Sequence, residues 1–126
     1  MYKNNPSVDV IMPTYNGRNT IKDAIDSVLH QSYTNWILTI VNDGGEDISD
    51  IVNGYNDPRI NLIILKKNKG LPYALNTGIR NTNGIYISLL DDDDIWYKDH
   101  IKKLLEGIES NNTDCVYSNI FYCKER

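Results

Sequence analysis

Four consecutive aspartates, Asp91-Asp92-Asp93-Asp94, follow the apolar run 85–90. Carboxylates placed side by side repel: two unit charges 4 Å apart cost about 1 kcal/mol in water and about 4 kcal/mol at an effective dielectric of 20. A chain that keeps four of them at the end of a strand needs good solvation or a cation among them. Mg²⁺ and Mn²⁺ take oxygen ligands and usually keep phosphate oxygens in their shell. In an extended stretch Asp91 and Asp93 point to the same side, which suits one shared ion, and Asp92 points elsewhere and is free to accept hydrogen bonds. Asp94 reads as the cap of a helix expected over 96–108.

Two further clusters carry polar chemistry. In Pro13-Thr14-Tyr15-Asn16 a phenol ring is available to stack on a base while Thr14 and Asn16 hydrogen-bond a nucleoside; a Pro-led turn before a helix fits the same residues equally well. In Asp43-Gly44-Gly45 a carboxylate is available to accept a base N–H, with glycines permitting close approach; a plain turn is the alternative. On the first reading, removing Asp43 lowers ligand affinity by about 1–3 kcal/mol with little change in fold stability. Lys66, Lys67 and Lys69 read as a solvated basic loop, with attraction of a diphosphate as the alternative. His30 and His100 have no sequence partner that suggests catalysis, and Trp36 and Trp96 read as packing residues.

These clusters share a position because of the elements around them. Residues 8–12, 36–41, 60–65 and 85–90 are apolar and β-rich, and each is followed by a polar stretch. Between them, apolar residues recur at helical spacing: Ile21, Ala24, Ile25, Val28 and Leu29; Ile48, Ile51, Val52 and Tyr55; Leu71, Ala74, Leu75, Gly78 and Ile79; and last Ile101, Leu104, Leu105 and Ile108. Strand and helix in alternation predict βαβ units, hence a Rossmann-like three-layer α/β/α fold with a largely parallel sheet. Ligands of such sheets bind beyond the carboxyl ends of the strands, where all the clusters lie. Residues 115–118 are expected to begin a fifth strand.

With 126 residues the chain is read as one domain, 1–126. Its net charge of −4 argues against a nucleic-acid partner, and no apolar run is long enough to span a membrane. Cys115 and Cys123 are expected as free core thiols of a cytoplasmic protein. Only four clear βα units precede the last residue, so the chain is expected to be a truncated part, or a naturally short relative, of something larger, with a homo-oligomer as one way to cover the open edge.

In order and spacing, "VIMPTYNG", "QSYTNWILTIVNDGGED" and "NKGLPYALNTGIRNTNGIYISLLDDDDIW" resemble family 2 glycosyltransferases of the GT-A fold, over roughly residues 7–119. The resemblance implies a transferase that moves a sugar from a nucleotide-diphospho-sugar donor, a UDP-sugar above all, to an acceptor such as a glycan or lipid-linked sugar, with inversion. It implies that Pro13, Thr14, Tyr15, Asn16 and Asp43 border the base, that Asp91 or Asp92 holds the ribose, and that Asp93 with Asp91 coordinates Mn²⁺ or Mg²⁺ in a D-x-D motif. Two positions depart from the family pattern: Asn42 stands where an Asp is common, and Leu75 where an Arg often precedes the Asn of the third helix. The family's general base and acceptor site come from the second half of its domain, so no catalytic residue is assigned. A non-catalytic nucleotide-binding or assembly module keeping the same half-fold is the alternative reading.

Overall fold

The computed structural model describes residues 5–122. Its elements run β1 (Val8–Thr14), α1 (Ile21–Leu29), β2 (Trp36–Asn42), α2 (Ser49–Gly54), β3 (Ile60–Ile64), α3 (Leu71–Arg80), β4 (Tyr86–Leu89) and α4 (His100–Asn111). All strands are parallel, in the order β3-β2-β1-β4. β1 is central and buried along its whole length, which is why its sequence is almost continuously apolar.

Alternation along each strand sends residues to two faces. Val8, Val10 and Met12 of β1, with Trp36, Leu38 and Ile40 of β2, join Ile21, Ala24, Ile25 and Val28 of α1, Val52 of α2, and Ile101 and Leu105 of α4 in one apolar core. The opposite face of β1 and β2 is covered by α3, whose Gly78 sits over Ile11 and Val41. The result is the three-layer α/β/α arrangement expected from the sequence. Trp36 belongs to the core, at 1% exposure.

Three expectations are corrected. The last helix starts at His100, not near residue 96, so Asp94 caps nothing. The reason is tertiary: the amide of Gln31 donates to the Tyr97 carbonyl, its oxygen accepts the Ile101 N–H at 3.0 Å, and the Ser32 N–H donates to the Lys98 carbonyl. The Ile101 N–H is one of the helix's unpaired first-turn donors, so the chain after α1 supplies the cap that no local residue does. No fifth strand forms at 115–118, where the chain finds no ladder partner after α4 ends at Asn112 in a left-handed conformation. Cys115 is exposed rather than in the core, and Cys123 lies outside the described residues. Among the described residues, no helix is long and apolar enough to cross a membrane.

Candidate functional site

After β1 the chain turns back over α1 to β2, whereas β4 lies on the other side of β1. The strand order thus reverses between β1 and β4, the switch point at whose carboxyl end open parallel sheets bind ligands. Thr14 closes β1 at this point. Its hydroxyl donates to Oδ2 of Asp92, in the loop after β4, at 2.5 Å. Gly17 makes that contact possible: a Cβ there would lie 1.9 Å from Oδ2 of Asp92 and 2.6 Å from Oγ1 of Thr14. Pro13 is buried in the ladder beside Val41, and Tyr15 projects with 53% of its surface exposed. Asn16 takes a left-handed conformation, φ 57°, common for Asn, and its side-chain oxygen accepts the Glu46 N–H at 2.9 Å. The first loop is thus tied to both the second and the fourth.

The loop after β2 is built by two side chains. The amide of Asn42 donates to the Glu46 carbonyl at 2.7 Å and accepts the Gly45 N–H at 3.1 Å. An Asp at this position could do only the second. Asp43 is buried at 4% exposure, and its two oxygens accept the N–H groups of Lys69 and Gly70, each at 2.8 Å. Gly44, at φ 76°, lets the loop pass so near residues 67 and 68 that a Cβ would fall 2.4 Å from the Lys67 carbonyl carbon. Asp43 therefore fixes the loop between β3 and α3, and each oxygen keeps a second lone pair for another donor.

The aspartates after β4 form a turn, not an extended stretch: the Asp94 N–H donates to the Asp91 carbonyl at 3.1 Å. The expectation that Asp91 and Asp93 share a side through strand alternation is corrected in its cause. The turn does bring Asp91 and Asp93 together, and adds Asp94; one carboxylate oxygen from each lies within 4.8 Å of the others, all on exposed residues. Asp92 is turned away toward Thr14, as its place in the sequence suggested. Loss of hydration raises the Asp91 carboxyl above the ordinary Asp value, and the charges of Asp94, Asp93 and Asp92 raise it further. Asp92 is raised as well, by burial first, against the lowering effect of the Thr14 hydroxyl. Three acidic oxygens gathered in a hard, oxygen-only set fit Mg²⁺ or Mn²⁺.

Of the basic loop, Lys69 lies across the Tyr73 ring, its Nζ 4.3 Å from the ring centre and 3.2 Å from the hydroxyl. His100 stacks on Trp96 with centroids 4.4 Å apart, and burial lowers its pKa. His30 closes α1 with Nδ1 2.7 Å from the Asp26 carbonyl oxygen. Sequence reasoning placed Gly17 and Asn42 on the rim but gave neither a structural task, and gave Asp94 a different one. The only local signal for Gly17 was a glycine three residues past a buried threonine; its partner, Asp92, is 75 residues away.

Residues 9–126 match the sequence profile of glycosyl transferase family 2. The UDP-Glc:alpha-D-GlcNAc-diphosphoundecaprenol beta-1,3-glucosyltransferase WfgD of Escherichia coli is 36% identical over 113 residues, covering 89% of this chain and 45% of that protein. An uncharacterized glycosyltransferase of Rickettsia prowazekii, RP339, is 42% identical over 119 residues, 94% of this chain and 36% of that protein. Among solved structures, S. aureus TarS 1-349 in complex with UDP-GlcNAc superposes with a TM-score of 0.79 at 25% identity, over 86% of this chain and 32% of that one. The Pyrobaculum calidifontis mannosyltransferase PcManGT, in complex with GDP-Man and Mn²⁺, shares the fold with a TM-score of 0.74 at 24% identity, over 82% of this chain and 32% of that one. The chain spans less than half the length of each of these relatives.

Proposed function

The chain belongs to glycosyl transferase family 2, with the α/β architecture of GT-A glycosyltransferases, and from that premise we propose that its strand-end switch point binds a nucleotide-diphospho-sugar donor with a divalent cation. The observation that carries the reading is the Thr14–Asp92 hydrogen bond, which closes the nucleoside-type loop of β1 onto the acidic turn of β4 at the switch point. In this reading Tyr15, exposed beside Asn16, stacks on the base, and the buried carboxylate of Asp43 offers its remaining lone pairs to a base N–H. Pro13 and Thr14 form the floor, and Asp92, already oriented by Thr14, accepts a ribose hydroxyl with help from Asp91.

Asp93, Asp91 and Asp94 would hold Mn²⁺ or Mg²⁺. The ion, when bound, supplies Lewis acidity that neutralises charge on the departing diphosphate. The residues themselves orient donor and ion at the switch point, next to the Asp43-fixed loop that carries Lys69. A UDP-sugar is favoured by the TarS likeness, whose complexes hold UDP and UDP-GlcNAc. A lipid-linked sugar is the acceptor class suggested by the name of the E. coli relative, and inverting transfer is the reaction class.

Calorimetry of UDP binding tests the reading. At least tenfold tighter binding with Mn²⁺ than with chelator is expected, and Asp93→Asn should remove the difference. Equal affinity in both conditions would overturn the metal assignment; no binding of any nucleoside diphosphate would overturn the site.

A further inference from the structure

At the opposite, amino end of the sheet, beneath the carboxyl end of α3, lies a cavity of about 200 Å³ bordered by Asp9, Thr39, Asn61, Asn81 and Asn83. Its floor is a polar diagonal across an otherwise apolar face. Asp9 of β1 pairs in register with Ile37, two residues before Thr39, which in turn pairs with Asn61 of β3. On the same face, farther along, Ile11 and Val41 are packed against α3; the polar residues occur only where the helix ends.

Asp9 is 2% exposed and accepts one hydrogen bond, from the Gly84 N–H to Oδ2. Its other oxygen has no partner among the described residues, and no Lys, Arg or His of theirs pairs with it. Thr39, 3% exposed, makes no side-chain hydrogen bond among those residues either. A buried charge that lacks a partner favours a counter-charge beside it. The carboxyl end of a helix adds negative potential to the same space and favours a cation there. The side-chain N–H₂ of Asn81 already donates to the Thr77 carbonyl at 2.8 Å, so its own oxygen remains an acceptor. Asp9, Thr39 and Asn81 thus offer hard oxygen atoms to this cavity, and no Lys, Arg or His borders it.

We propose that this cavity binds a single monovalent cation, an alkali ion or ammonium, on Asp9. A monovalent ion neutralises the one carboxylate, whereas a divalent ion would leave a net charge buried. At about 30 Å³ for each water, a 200 Å³ space also accommodates several waters that complete the ion's shell. The site is separate from the acidic turn after β4 and is independent of the donor reading.

Thermal melting of the 126-residue chain at fixed ionic strength, in KCl, NH₄Cl or N-methylglucamine chloride with chelator present, tests it. Melting about 4–7 °C higher in a small-cation salt held tenfold above its dissociation constant is expected, absent in Asp9→Asn. A response to KCl alone, to NH₄Cl alone or to both assigns the ion. Identical melting of the wild-type chain in all three salts, or an Asp9→Asn variant that follows the salts as the wild type does, overturns the site and leaves a water-filled pocket. If Asp9→Asn does not fold, amide NMR of the wild type decides. Saturable shifts of Asn83 and Gly84 with the small cation, and none with N-methylglucamine, support the site; their absence sinks it.

Discussion

Two sets of carboxylates stand on the same rim and have opposite relations to the rest of the chain. Asp43 is buried, and both its oxygens hold backbone N–H groups of the segment after β3. Asp91, Asp93 and Asp94 are exposed, and one carboxylate oxygen of each lies within 4.8 Å of the others. The first carboxylate is a structural tie with capacity left over; the second group is a concentration of charge that stabilises nothing within the described residues. Acidity alone therefore does not mark a ligand site. In the proposed reading, what marks it is acidic oxygen that the fold gathers and does not use.

The largest effect should come from breaking the tie. Asp43→Asn keeps the shape but replaces one acceptor oxygen with an N–H₂ that faces a backbone N–H. Loss of one charge-assisted bond and weakening of the other should lower stability by about 2–4 kcal/mol in chemical denaturation. This reverses the expectation from sequence that Asp43 serves a ligand with little effect on the fold. A variant as stable as the wild type would show that the Lys69 and Gly70 contacts are dispensable.

Next in size is Asn42→Asp. It removes the donor to the Glu46 carbonyl and sets a second carboxylate beside Asp43. A loss of about 1–2 kcal/mol is expected, together with faster hydrogen exchange of the Gly45 and Glu46 amides. An unchanged or more stable variant would mean that the two-way amide contact does not organise this loop.

Those two residues also show what the sequence could and could not disclose. Alternating apolar periods carried the α/β fold, the four strands and the helix faces, because burial on both sides of a parallel sheet leaves a local trace. The polar clusters could be assigned to one rim because strand ends in such a sheet share it. Partners were not legible. That Thr14 meets Asp92 through the gap at Gly17, or that Gln31 caps α4, depends on separations of 78 and 70 residues. Strand logic also misjudged residues 91–94, since a turn, and not the pleat, brings Asp91 and Asp93 together. Residues 96–99 looked helical for the same kind of reason: their composition permits a helix, and contacts with residues 31 and 32 hold them otherwise.

The exposed cluster should behave in the contrary sense to Asp43. In chelator, Asp93→Asn removes one repelling charge from a group with no internal partner. Stability should stay within about 0.5 kcal/mol of the wild type, with any shift upward. Addition of Mn²⁺ should raise the melting temperature of the wild type and leave the variant unmoved. Clear destabilisation in chelator would place Asp93 with Asp43 as a structural residue and dissolve the contrast.

The smallest effect belongs to a carboxylate of a third kind, one with a cationic partner in open solvent. Asp50 pairs with Arg18 through 2.6 and 2.8 Å contacts that join the loop after β1 to the start of α2. The Arg18 hydrogen bonds lower its carboxyl to about 2 from the usual 3.8. A pKa depressed in the folded state means that the unfolded chain binds the proton more tightly. The pair's contribution is therefore present above about pH 4 and fades as pH falls through about 2. Asp50→Asn should melt close to the wild type near pH 7, because exposed pairs contribute little, and should flatten the acid limb between about pH 4 and 2. Salt should have the same flattening effect on the wild type, since screening acts on exposed charges and hardly on the buried Asp43 tie. An acid limb unchanged by both Asp50→Asn and salt would show that the Arg18–Asp50 pair is not a source of this rim's acid sensitivity.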